Sequence, residues 1–180
     1  MIKDKIKEFL ENLSEDEIKN IPIAKKLEII YNYPEIKLTK KGNLPIKIVE
    51  ELASSGLFIK KPQNLKEDTI FEVKLFKNLL IASRLFRKSK NKLLLTKKYQ
   101  NLSLKDKVLK LIDVLEMRIV SDTVLFMDWW GIDKDYFVFI NNIDKFFYNA
   151  LNNKEKEKIV LAIFYEFGIL KDDRVLIEFI

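Results

Sequence analysis

Histidine and cysteine are both absent from this 180-residue chain, and glycine and proline number four each. Each shortage excludes a body of chemistry. Without His there is no Ser-His-Asp or Cys-His constellation and no imidazole acid or base. Without Cys and His the usual structural zinc sites have no ligands. Without Cys no disulfide or thiol redox couple forms. The glycines stand at 42, 56, 131 and 168, too scattered for a phosphate-cradling loop of either the Walker or the GxGxxG kind. Long apolar runs are missing as well. The longest, Ile159–Tyr165, has seven residues, whereas a membrane span needs roughly 20. The first residues, MIKDKIKEFLENL, mix charges throughout, unlike a signal peptide. The expected location is cytoplasmic, with no membrane partner, no metal and no cofactor.

What remains is a chain 48% hydrophobic, enough for a sizeable core at this length. Its 33 Lys and Arg outnumber 27 Asp and Glu, for a net charge of +6. The excess is localised. Residues 61–100 hold 11 basic and 3 acidic residues, whereas 101–180 hold 11 and 14. Between Glu72 and Asp106 there are ten basic residues and no acid. Of the 33 basic residues 29 are Lys, a bias that an AT-rich genome produces everywhere, but such a bias does not remove acids from one stretch. A block of one sign is a candidate footprint for a polyanion.

Periodicity predicts mostly helix with short hairpins, an α+β class. Residues 3–13 read as a helix with Ile6, Phe9 and Leu10 on one side. Ser14 and Glu17 form a capping-box pattern. Pro22 opens a third helix and Pro34 ends it. Ile36–Thr39 reads as a strand, and Asn43 as a cap with Pro45 in the first turn of a helix that Gly56 stops near Ser55. Asp68 or Thr69 is expected to cap a helix over about 70–86, with Phe71, Leu75, Leu79, Ala82 and Phe86 inward and Lys74, Lys77, Arg84 and Lys88 opposite. Ser89-Lys90-Asn91 reads as a turn and Leu93–Thr96 as a strand. Helices follow over roughly 104–120, 134–151 and 154–167, then a strand at Arg174–Phe179. The expected segments are 1–34, 35–102 and 103–180, in one compact body.

Two internal echoes stand out. Leu38-Thr39-Lys40-Lys41 returns as Leu95-Thr96-Lys97-Lys98. The block Ile81–Phe86, turn, Leu93–Thr96 is echoed by Phe164–Leu170, turn, Val175–Ile177: apolar helix, two-residue apolar step, polar turn, strand. Ser54-Ser55-Gly56-Leu57-Phe58 has the same helix exit. At these residues the chain resembles winged-helix domains, well over about 36–100 and more weakly over 154–180. The segment Leu38-Thr39-Lys40-Lys41-Gly42-Asn43-Leu44-Pro45 also resembles a recurrent segment of uncharacterised prokaryotic proteins. The winged-helix resemblance implies duplex-DNA binding, with the 70–86 helix in the major groove and the 87–98 hairpin along the backbone.

The candidate contacts are Lys74, Lys77, Arg84, Arg87, Lys88, Lys90, Lys92, Lys97 and Lys98. Arg offers a forked donor and Lys a point charge to phosphate. The plainer reading is a solvated hairpin whose lysines guard a sheet edge. The aromatic stretch 123–150, with Trp129, Trp130 and Phe137, reads as core, dimer contact or stacking surface. Glu17-x-Lys19, Glu35-x-Lys37 and Glu72-x-Lys74 match a nuclease-type metal motif, but 15 Glu and 29 Lys in 180 residues supply between two and three such matches by chance. The expectation is a non-enzymatic, DNA-binding protein that uses the 84–98 helix–hairpin and has no catalytic residue. The alternative is a protein-interaction or scaffolding module, a homodimer among its forms, using the aromatic surface.

Overall fold

In the computed structural model, described over residues 1–59, 65–127, 140–150, 154–171 and 174–175, the chain is mostly helical with a small antiparallel sheet. Helices α1 (Ile2–Glu11), α2 (Glu15–Ile18) and α3 (Pro22–Ile30) come first, then strand β1 (Glu35–Lys37) and α4 (Ile46–Ala53). A 3₁₀ turn (Glu67–Thr69) leads into α5 (Phe71–Ala82), then β2 (Phe86–Ser89) and β3 (Lys92–Leu95). A second 3₁₀ turn (Lys97–Tyr99) precedes α6 (Leu104–Asp113) and α7 (Met117–Leu125). The described remainder is α8 (Ile143–Ala150), α9 (Lys154–Glu166), β4 (Leu170–Lys171) and β5 (Arg174–Val175).

Local signals set the early helices. Ser14 Oγ accepts from the Glu17 amide at 3.1 Å and the Glu17 carboxylate accepts from the Ser14 amide at 3.1 Å, so both halves of the capping box form. Pro22 occupies the first turn of α3, where its missing N–H costs nothing. Ile2, Ile6 and Leu10 are buried at i, i+4 and i+8 on α1, the stripe that meets α6.

Other boundaries differ from the sequence expectation. Pro45, not Asn43, holds the N-cap position of α4, and the Asn43 side chain instead donates to Asp68 at 2.8 Å. Asp68 and Thr69 lie inside the 3₁₀ turn, and α5 starts from Ile70 without a side-chain cap. The helix expected over 104–120 is two helices. The break lets Leu115 point into the core, and Glu116 restarts the chain from extended backbone at φ −131°. Helix α5 stops at Ala82, four residues short of the expected 86, because Arg84 turns left-handed at φ 63° and sends Phe86 into the sheet.

The three-stranded sheet has the order β1-β3-β2, antiparallel throughout, so β1 returns against the far strand of the hairpin. The inner row is Ile36, Leu93 and Lys88 beside buried Phe86; the outer row is Glu35, Leu94 and Arg87. A two-residue loop, Lys90-Asn91, joins β2 to β3, with Lys90 at φ 55°. The second echo in the sequence is also a structural one. Helix α9 ends at Glu166, Gly168 turns left-handed at φ 78°, and β4 opens at Leu170. These offsets match Ala82, Arg84 and Phe86.

One core joins all three expected segments. Helix α6 receives α1 and α3, α5 packs on α7, and α9 packs on both α5 and α8. Helix α5 lies at the centre. Seven consecutive residues, Phe71 to Lys77, are buried, followed by Leu79 and Leu80. A helix apolar or paired on every side has no face left for a partner. Among the described residues no helix is long and apolar enough to cross a membrane.

Candidate nucleic-acid interface

The nine cations expected to meet nucleic acid divide into two groups. Lys74 and Lys77 are not on an open face: they are 6% and 7% exposed. Glu67, 1% exposed, accepts from Lys77 Nζ at 2.6 Å and from Lys74 Nζ at 3.2 Å, and also from the Leu44 amide at 2.9 Å. Asp68 takes Lys74 Nζ at 2.7 Å. The Gly42 carbonyl takes Lys77 Nζ at 2.9 Å. Desolvation makes an unpaired charge untenable there, so the two lysines are committed to internal carboxylates. Burial pushes the Lys77 ammonium below its ordinary value; Glu67 opposes the shift, and Lys74 and Lys88 add to it. This overturns the expected surface role of both residues, and the burial of α5 leaves no helix face for a groove.

The other seven are exposed: Arg84, Arg87, Lys88, Lys90, Lys92, Lys97 and Lys98. Lys92 pairs with Glu35 across the sheet at 2.5 Å, with both side chains about half exposed. Lys98 lies 5.3 Å from the Tyr99 ring centroid, and Lys110 approaches the same ring at 3.9 Å. Among the described residues, Arg84, Arg87, Lys88, Lys90, Lys97 and Lys98 form no ion pair. The tenth basic residue of the acid-free stretch, Lys105, is structural: its Nζ donates to the Glu11 and Leu13 carbonyls at 2.6 and 2.8 Å.

Sequence reasoning missed a second charged cluster altogether. Lys26, fully buried on α3, meets Glu166 of α9 at 2.7 Å, and Glu72 of α5 lies beside them. Glu72 accepts the Phe58 and Ile59 amides at 2.9 and 3.3 Å. Burial first, and then the Glu166 charge, pushes the Glu72 carboxyl up to about 7, with Lys26 opposing. Burial likewise raises Glu166. Lys26 and Glu166 are separated by 140 positions, so no local pattern links them.

Of the nuclease-type matches, Glu17 is spent in a cap, Glu35 in the Lys92 pair and Glu72 in the interior. Among the described residues no three acidic side chains converge to hold a metal ion. Trp129, Trp130 and Phe137 lie outside the described residues. Just before that segment, Phe126 is 70% exposed. No family model, no curated protein and no solved structure matches this chain.

Proposed function

We propose that this chain binds nucleic acid, duplex DNA in the first place, through the outer surface of the β2–β3 hairpin and the turn that follows it, and that it acts by binding rather than by catalysis. One observation carries the reading: five exposed cations free of ion pairs, Arg84, Arg87, Lys90, Lys97 and Lys98, lie within 15 residues of acid-free chain on the hairpin and its flanks, while Lys88, also exposed, lies on the inner row of the sheet. The order helix, strand, helix, helix, hairpin, from α3 to β3, supports the winged-helix resemblance. It keeps the wing and drops the reading helix, because α5 is buried.

A surface of this kind neutralises phosphates and releases counterions. Five contacts predict a slope of log affinity against log salt of about −4.5. Phosphate contacts set position without reading sequence, so discrimination between duplex sequences is expected to be small. The test is fluorescence anisotropy with a labelled duplex at low salt, comparing wild type with an Arg87→Glu/Lys90→Glu/Lys97→Glu variant. The wild type is expected to bind with the steep salt slope, and the variant to lose most of its affinity while keeping its melting temperature. Equal affinity of the two proteins, or no binding by either, overturns the reading.

A further inference from the structure

Behind the hairpin lies a cleft of ≈ 530 Å³, within the size range of small-molecule sites. Its walls come from five parts of the chain. The turn after β1 gives Lys41, Gly42 and Asn43; the 3₁₀ turn gives Asp68; α5 gives Lys74, Lys77 and Asn78; and β2 gives Lys88. Asp122 of α7 and Phe126 close the far side.

The charges on this wall are unevenly satisfied. Asp68 accepts Lys74 Nζ at 2.7 Å on one oxygen and Asn43 Nδ2 at 2.8 Å on the other. Glu67, behind the wall, is saturated by Lys74, Lys77 and the Leu44 amide. Asn78 donates to Thr123 Oγ1 at 2.9 Å. Lys41 and Lys88 remain. Both are exposed, and among the described residues neither has a carboxylate within ion-pair distance.

Lys88 is not extended into solvent along the wing. It sits on the inner row of the sheet with Phe86 and Leu93, and a Cβ placed on Gly42 would come 3.2 Å from its Nζ. Gly42 also has φ 81°, a conformation that side chains resist, so glycine there both makes the turn and admits the ammonium. Lys88 lies close enough to Lys77 to depress its basicity, and Lys41 acts on Asp68 without forming an ion pair, so at this end of the cleft Lys41, Lys74, Lys77 and Lys88 outnumber the two carboxylates Glu67 and Asp68. At the other end, Phe126 lines the cleft with most of its surface uncovered, beside an Asp122 carboxylate that can accept from a ligand's N–H or O–H groups.

We propose that this cleft binds a phosphorylated small molecule of nucleotide size, with its phosphates held between Lys41 and Lys88 and its apolar body against Phe126. Lysine supplies point charges to phosphate without needing a fixed fork geometry. The site is separate from the outer hairpin surface, since Arg87 points to the opposite face of the sheet from Lys88. The same phosphate chemistry is carried by a free nucleotide and by a nucleotide unit of a nucleic acid, and the experiment separates them.

Isothermal titration calorimetry at low ionic strength, with ADP and separately with pyrophosphate, is the direct test. Wild type is expected to bind both saturably at one site. A Lys41→Gln/Lys88→Gln variant is expected to lose at least about tenfold in affinity for each, as for removal of charge-assisted contacts. Both side chains are exposed, so its melting temperature should match wild type. Phe126→Ala is expected to weaken ADP and leave pyrophosphate unchanged. The Arg87→Glu/Lys90→Glu/Lys97→Glu variant should keep its ADP affinity whether or not wild type binds DNA. No saturable heat with either ligand up to roughly 5 mM overturns the proposal. So does binding that the double Gln variant retains. Loss of duplex affinity in the double Gln variant, without ADP binding by wild type, also overturns it and assigns the cleft to the nucleic acid.

Discussion

After α5 the chain passes through Arg84 at φ 63° into a hairpin that, with the residues flanking it, holds seven exposed cations, whereas after α9 it passes through Gly168 at φ 78° into β4–β5, where the sequence Lys171-Asp172-Asp173-Arg174 carries no net charge. The spacing is the same from helix end to left-handed residue to strand start, Ala82, Arg84 and Phe86 against Glu166, Gly168 and Leu170. Forming such a hairpin therefore does not require basic residues. On β2–β3 Lys92 pairs with Glu35, and the other cations form no ion pair among the described residues, a surplus of one sign of the kind the proposed binding surface would use. The helices in front of the two hairpins are also alike: each buries a carboxylate, Glu72 on α5 and Glu166 on α9, and both face Lys26. The two units meet at that cluster.

The severest way to break the comparison is to remove the charge that joins the units. Glu166→Ala leaves Lys26 fully buried, with a Gly56 carbonyl contact at 3.3 Å as its remaining hydrogen bond. Breaking one side of a buried pair costs about 3–5 kcal/mol, enough to unfold a marginal domain. Denaturant titration should show the loss in full. A cost under about 1 kcal/mol would mean that Lys26 finds water or another partner, and that the two units are not locked through this pair.

Next in size is a pH effect. The Glu72 carboxyl, ordinarily near 4.5, is raised to about 7 because burial and the Glu166 charge disfavour its ionised form. The folded chain therefore holds this proton more tightly than the unfolded chain. Its contribution to stability is fully present below pH 4.5 and is lost as pH rises through about 7. The facing groups are Glu166, Lys26, Tyr165 and the amides of Phe58 and Ile59; Glu166 is raised in the same direction. At about 1.4 kcal/mol per pKa unit, wild type should lose about 3 kcal/mol across that window. Glu72→Gln, which keeps an oxygen for the two amides, should remove the Glu72 share of that slope and leave the share of Glu166. If the variant tracks wild type at every pH, the proton is not on Glu72.

What the sequence made legible was local. The capping box at Ser14, Pro22 at the head of α3 and the helix–step–hairpin echo all depend on residues within a few positions of one another, and all three formed. The concentration of charge in 84–98 was legible for the same reason. The fate of Lys74 and Lys77 was not. Their partners Glu67 and Asp68 looked like loop and cap residues, and an amphipathic reading of α5 assumes an open side that α7, α9 and the Thr39–Asn43 turn in fact close. The cleft at Lys41 and Lys88 was hidden because β1's turn and β2 meet only once β3 has paired with both.

The mildest test exchanges the left-handed residue of the bend for its counterpart. Arg84 has a left-handed backbone that costs a side-chain-bearing residue roughly 1–2 kcal/mol, and the equivalent position in the second hairpin is glycine. Arg84→Gly relieves that strain but gives the unfolded chain more freedom, so net stabilisation under about 1 kcal/mol is expected. The same change deletes one of the five unpaired cations of the outer surface, and the salt slope of duplex binding should become shallower by about 0.9. The two readouts move in opposite directions: the fold gains and binding weakens. If Arg84→Gly leaves the slope unchanged, the hairpin's cations serve solubility alone.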